Sequence, residues 1–196
     1  MTSEDVIQRF RESGALLEGH FILTSGLHSI VYLQCALVLQ HPEAAAEFGA
    51  AIANAFQGEA IQVVASPAIG GIVIGHEVAR ALGVRFIWTE RENGKMTLRR
   101  GFAVAPGERV LVIEDVITTG GSTRETIEAL RALGAEVVGA ASIIDRSSGH
   151  AEVGVKRVAL ATLNVPSVDP KLCEACARGD VAIKPGSRKG SAASEQ

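Results

Sequence analysis

A mostly parallel sheet flanked by helices, an α/β fold, is what this chain predicts, and three observations carry the prediction. Runs with strand character alternate with amphipathic helical runs over most of the length. Two strands in succession run into Gly-rich turns that open a helix. The apolar run at 110–113 is continuous, as a strand covered on both faces must be.

The elements follow in order. A short amphipathic helix is expected at 3–11, then strands at 21–23 and 30–37 joined by a turn at 24–29, a segment standing outside the repeating unit. Pro42 marks a helix start and Gly58 its end, with apolar positions Ala46, Phe48, Ala50, Ile52, Ala53 and Phe56 between them. A strand at 61–65 leads through the turn 66–71 to a helix ending near Gly83, followed by a strand at 84–88. Residues 90–100 read as a polar segment whose Asn93-Gly94 centre favours a turn. The strand at 110–113 leads to a helix that opens at 118–122 and runs to about Leu133. Gly134 ends it, and strands at 136–144 and 157–163 complete the pattern. The Gly-, Ser- and Ala-rich tail from Gly186 is expected to be mobile. Right-handed crossovers place both Gly-rich turns at the carboxyl edge of the sheet, where such folds bind ligands.

Composition narrows the classes. At 196 residues, 47% hydrophobic and 21% charged, the chain suits one globular domain with a full core. A formal net charge of −3 argues against a general binder of nucleic acid or membrane surfaces. No run approaches the length of a membrane span, and the start Thr2-Ser3-Glu4-Asp5 lacks secretory features, so a cytoplasmic protein is expected. Of three cysteines, Cys35 lies in an apolar stretch and reads as a small hydrophobe. Cys173 and Cys176 have the spacing of half a zinc site or of a reversible disulfide. No second Cys-x-x-Cys and no His pair is recognised beside them, so an incidental or structural pair is expected, with zinc shared across a dimer as the alternative.

Chemistry concentrates at 109–123. There an apolar strand ends in Glu114 and Asp115, and Val116, Ile117, Thr118, Thr119, Gly120, Gly121 and Ser122 lead into a helix. Free N–H groups at a helix start hold phosphate, glycines let the backbone approach it, and carboxylates upstream suit ribose hydroxyls or magnesium. Thr119, Ser122 and Thr123 offer further hydroxyl donors. A P-loop is excluded at 70–75, because His76 and Glu77 stand where Lys and Ser or Thr are required. Arg91, Lys95, Arg99 and Arg100 crowd the 90–100 segment, which fits a mobile cationic lid that closes over pyrophosphate and excludes water.

The whole string matches the phosphoribosyl-pyrophosphate signature of type I phosphoribosyltransferases. Four segments resemble orotate phosphoribosyltransferases in particular: 19–29 an amino-terminal substrate hood, 66–72 a pyrophosphate loop, 114–122 the donor motif, and Ile144-Asp145-Arg146 an orotate-contacting strand end. The resemblance covers about 15–165. It implies one type I phosphoribosyltransferase domain over 1–196, with about 1–40 contributing to the hood. It also implies transfer of phosphoribose from phosphoribosyl pyrophosphate to orotate, in pyrimidine synthesis.

On that resemblance Asp115 and Lys95 are catalytic, Arg91, Lys95 and residues 114–122 bind the donor, and Thr118 and Arg146 bind orotate. The resemblance further implies magnesium bound mainly through the donor, and a homodimer. The chain departs from the pattern where Thr24 and Gly70 replace lysines and where the lid is short and lacks a histidine. A phosphoribosyltransferase for another nucleobase and a non-catalytic regulator of the same fold are the competing readings, while a purely structural role leaves the acidic pair unexplained.

Overall fold

A computed structural model describes residues 1–23, 26–165 and 167–185. Thr24, in the expected hood, and the tail from Gly186 lie outside the described residues. In chain order the elements are α1 (Ser3–Glu12), β1 (Leu16–Ile22), β2 (His28–Leu33), α2 (Cys35–Leu39), α3 (Pro42–Ala55), β3 (Val63–Pro67), α4 (Gly71–Leu82) and β4 (Arg85–Glu92). Then come β5 (Lys95–Leu98), β6 (Arg109–Ile117), α5 (Gly121–Ala132), β7 (Glu136–Asp145), β8 (Arg157–Thr162), β9 (Ser167–Val168), a 3-10 turn (Pro170–Leu172) and α6 (Glu174–Ala177). No helix among the described residues is long and apolar enough to cross a membrane.

The chain divides into two compact units. Met1–Ala15 and Gln34–Asn164 form the larger, and Leu16–Leu33 with the segment from Val165 onward the smaller. In this division α1 and residues 34–40 belong to the larger unit and the carboxy-terminal segment to the smaller one.

The larger unit is built on a six-stranded sheet in the order β5-β4-β3-β6-β7-β8. Every pairing is parallel except β4 with β5. Val63, Val64 and Ala65 of β3 and Val110, Leu111, Val112 and Ile113 of β6 have no exposed surface, so both central strands are covered on each face, as their unbroken apolar sequence requires. Close backbone packing seats the helices. A Cβ at Gly71 would fall 2.9 Å from the Ile113 carbonyl oxygen, and one at Gly49 would fall 2.7 Å from the Glu77 carbonyl carbon.

The order of the strands positions the site. From β3 the chain passes through α4 to β4 on one side, and from β6 it passes through α5 to β7 on the other. The winding direction therefore reverses between the adjacent strands β3 and β6. At their carboxyl ends the turns that open α4 and α5 part and leave the crevice in which open α/β sheets bind ligands.

Three expectations need correction. Residues 30–37 are not one strand: β2 stops at Leu33, the Gln34 amide donates to the Ala15 carbonyl, and Cys35–Leu39 coils into a buried helix. Apolar periodicity cannot distinguish helix from strand over so short a run. Residues 90–100 are not a loose polar segment, because Arg85–Glu92 and Lys95–Leu98 pair as an antiparallel hairpin turning on Asn93 and Gly94, both at positive φ. Finally, β6 does not end before the carboxylates but carries them inside the sheet, with Glu114 beside Ser142 of β7.

The smaller unit is a three-stranded antiparallel sheet in the order β1-β2-β9, with an isolated bridge from Phe21 to Ile183. It overturns one further expectation. Cys173 and Cys176 do have a histidine pair beside them in the same chain, because β1 and β2 bring His20 and His28 within reach of both sulfurs. The pair is invisible as a motif because it lies some hundred and fifty residues upstream of the cysteines.

Candidate active site

The acidic pair lies at the reversal between β3 and β6. Glu114 is only 9% exposed, and burial together with the neighbouring Asp115 charge pushes its carboxyl from an ordinary 4.5 up to about 9. Glu114 is therefore a neutral acid at physiological pH, and its proton serves a bond to Asp115. Burial also raises Asp115, but that carboxylate accepts the Val116 amide at 2.8 Å and further bonds from Cys35 and Glu114, all of which oppose the rise. One proton and one charge are shared by two carboxyl groups, with the charge on Asp115.

Two groups that sequence reasoning missed complete this setting. Cys35, read as a small hydrophobe, sits at the start of α2 with its thiol directed to Asp115, and burial and that carboxylate keep it protonated, well above the ordinary thiol range. Gly70, noted only as a missing lysine, abuts the same carboxylate: a Cβ there would stand 2.8 Å from both Asp115 oxygens. Any side chain at 70 therefore crowds Asp115 in this chain. Gly70→Ala is expected to turn Asp115 off the Val116 amide and lower kcat/KM about tenfold or more, since ångström-scale misplacement costs up to about 10²-fold. Steady-state kinetics on the folded variant checks this, and unchanged kcat/KM would contradict it.

Glu114 also governs stability. Its carboxyl stays protonated in the folded chain up to about pH 9 but ionises near 4.5 once exposed. Between those values the folded state holds the extra proton, so stability falls as pH rises, by up to about 1.4 kcal/mol per pH unit. Glu114→Gln removes that titration, and its melting temperature relative to the parent is expected to rise progressively from pH 5 to pH 8. Thermal unfolding across that range tests it, and a pH-independent difference would refute it.

Past Ile117, Thr118 and Thr119 are exposed, and Gly120, at φ +74°, is the N-cap of α5. A Cβ on Gly120 would lie 2.9 Å from Val153, so glycine is needed for both conformation and space. No side chain caps α5, which leaves the Gly121 and Ser122 amides at an open helix mouth. Arg124 braces the turn by donating to the Thr119 and Glu152 carbonyls at 2.9 and 2.8 Å. Thr123 departs from expectation: it is 1% exposed and faces the interior, so its hydroxyl is no ligand donor. The mouth of α4 at Gly71 is likewise uncapped, giving two helix openings flanking Asp115.

Arg146 follows β7 directly, and its amide donates to the Ile117 carbonyl at 2.8 Å, which fixes it beside the end of the signature strand. Its charge reaches Cys35. Asp145, just before it, has partners of its own. That carboxylate is buried, ion-pairs with Arg157 at 3.0 Å, and accepts from Ser147 and Gly149, bonds that hold it below the usual range despite burial. Asp145 is thus the anchor of the loop that presents Arg146.

The expected lid is arranged differently. Arg91 pairs with Glu125 of α5 at 2.7 Å and donates to the Gly94 carbonyl, Arg99 lies near Glu90 and Glu92, and Arg100 pairs with Glu90. Lys95 is exposed at the hairpin tip. The hairpin therefore rests on the helix whose mouth is uncapped, with Arg91 engaged to that helix and not to the acidic pair.

Comparison with known proteins agrees with this geometry. A family model described as the phosphoribosyl transferase domain matches residues 36–170. The chain is 53% identical over 189 residues to an orotate phosphoribosyltransferase of Desulforamulus reducens, spanning 96% of this chain and 99% of that one. It is 55% identical to one of Pelotomaculum thermopropionicum, spanning 96% and 100%. Among solved structures, the orotate phosphoribosyltransferase of Aeropyrum pernix superimposes with a TM-score of 0.68 at 27% identity, over 81% of this chain and 93% of that one. The chain is a type I phosphoribosyltransferase and belongs to the orotate phosphoribosyltransferase family.

Proposed function

We propose that this enzyme transfers the 5-phosphoribosyl group of phosphoribosyl pyrophosphate to orotate, giving orotidine 5′-monophosphate and pyrophosphate in pyrimidine nucleotide synthesis. The observation that carries the reading is a carboxylate, Asp115, set between two uncapped helix mouths at the reversal point of the sheet. A donor with a phosphate at each end of a pentose needs that spacing of two anion sites around one negative charge.

In this reading the amides and hydroxyls at 118–122 hold the 5′-phosphate, and the turn before α4 faces the pyrophosphate. Asp115 orders the ribose hydroxyls and stabilises the positive charge that develops as the bond to pyrophosphate breaks, while protonated Glu114 donates to it and fixes its orientation. Arg146 pairs with the acceptor carboxylate, next to Thr118. Arg91 and Lys95 neutralise the leaving group once the Arg91 pairing with Glu125 is exchanged for phosphate. Magnesium fits a site with one charged carboxylate, because this ion takes most of its ligands from substrate phosphates and water, and it would add charge neutralisation there. A cytoplasmic homodimer accords with the family.

Magnesium-dependent assays with orotate, uracil, hypoxanthine and adenine test the proposal. Turnover is expected with orotate alone. Turnover with a purine or uracil and none with orotate would overturn it.

A further inference from the structure

Four side chains of the smaller unit converge in a cluster that the proposed reaction does not use. The ligating atoms of His20, His28, Cys173 and Cys176 all lie within 4.8 Å of one another. His20 Nε2 is 2.8 Å from His28 Nδ1, 3.4 Å from Cys173 Sγ and 3.6 Å from Cys176 Sγ, and the latter sulfur is 3.3 Å from His28 Nδ1. His20, His28 and Cys173 are each at least nine-tenths buried, and Cys176 closes the cluster at the surface.

Zinc bonds of about 2.05 Å to nitrogen and about 2.3 Å to sulfur give a tetrahedron with edges of about 3.6 Å between N and S and about 3.4 Å between nitrogens. The three N···S separations lie within a few tenths of an ångström of that figure. Among these four edges only the two nitrogens need to part, by roughly half an ångström, and the two edges from Cys173 to Cys176 and to His28 are within 4.8 Å. The outer contacts point the same way. His20 Nδ1 stands 3.0 Å from the Asp180 backbone oxygen, which can only accept, so that nitrogen carries the hydrogen and Nε2 turns its lone pair into the cluster.

We infer that His20, His28, Cys173 and Cys176 bind one structural zinc ion within a single chain. Two sulfurs and two nitrogens at tetrahedral spacing select zinc among common divalent ions and leave no position for a reacting water. On binding, the two thiols release their protons to solvent and the imidazoles stay neutral, so the filled site carries no net charge and nothing is oxidised or reduced. The need is physical. Among the described residues the smaller unit buries only Phe21, Leu33, Cys173 and Ala175 as apolar groups, while Leu172, Val181 and Ile183 are exposed. Small units with little core depend on such cross-links, and this one ties the carboxy-terminal segment to the β1-β2 hairpin.

Full-length protein purified without chelator is the material for the test. Elemental analysis is expected to give one zinc per chain, X-ray absorption at the zinc edge mixed nitrogen and sulfur coordination, and alkylation of Cys173 and Cys176 only after chelation, with a fall in melting temperature. The Cys173→Ser, Cys176→Ser double variant is expected to lose the metal, and Cys35→Ala to keep it. Metal-free protein that takes up no zinc from micromolar zinc chloride, a Cys173–Cys176 disulfide in freshly purified protein, or zinc lost from Cys35→Ala and retained in the double variant would each overturn the assignment.

Discussion

Asp115→Asn is expected to lower kcat by about 10²–10³-fold while changing the affinity for phosphoribosyl pyrophosphate much less, the loss typical of removing one preorganised electrostatic group. The buried pair holds a single negative charge, and the high value of Glu114 places it on Asp115. Asparagine keeps the size and part of the bonding to Val116 but removes the charge that opposes the cationic sugar. Ground-state ribose hydroxyls are neutral and lose only a hydrogen bond of modest worth, whereas the transition state loses a full charge interaction in a site of low effective dielectric. Glu114→Gln, already neutral in the folded parent, is expected to keep most of the activity. Steady-state kinetics with calorimetric titration of the donor separates the two quantities. An asparagine variant with unchanged kcat and weakened donor binding would remove Asp115 from the transition state.

The same residues show what a sequence makes legible. Glu114 to Ser122 form one uninterrupted stretch, so a strand, its acidic end and a helix mouth can be read from local composition, and the parallel sheet follows from repeated strand-turn-helix units. What escaped was made by contacts between distant segments. Cys35 and Gly70 reach Asp115 only because α2 and the α4 turn are folded against β6. Asp145 proved to be an anchor because its partner Arg157 sits on the neighbouring strand, where no local spacing reveals it. Residues 90–98 carry an Asn-Gly turn between strand residues, yet their density of charge read as a polar segment fit for a mobile lid. In the structure those charges are an edge-strand device, satisfied by one another and by Glu125, that leaves the sheet edge unattractive to further strands.

Arg146→Ala is expected to lower kcat/KM for orotate by about 10²–10³-fold, because truncating one member of a desolvated charge pair costs about 3–4 kcal/mol. The fold should survive the change. The bond from the residue 146 amide to Ile117 involves backbone alone, and the loop is secured by Asp145 through Arg157, Ser147 and Gly149. Donor affinity should stay near the parent value, since the helix mouths at Gly71 and Gly121 are untouched. Arg146→Lys restores a charge but not the planar fork that matches a carboxylate, so it should recover only part of the loss. If Arg146 pairs with the acceptor carboxylate as proposed, any preference for orotate over uracil, which has the same ring without the carboxylate, should collapse in the alanine variant. Kinetics with both acceptors on the three proteins provide the measurement, and an alanine variant that handles orotate normally would assign acceptor recognition to another residue.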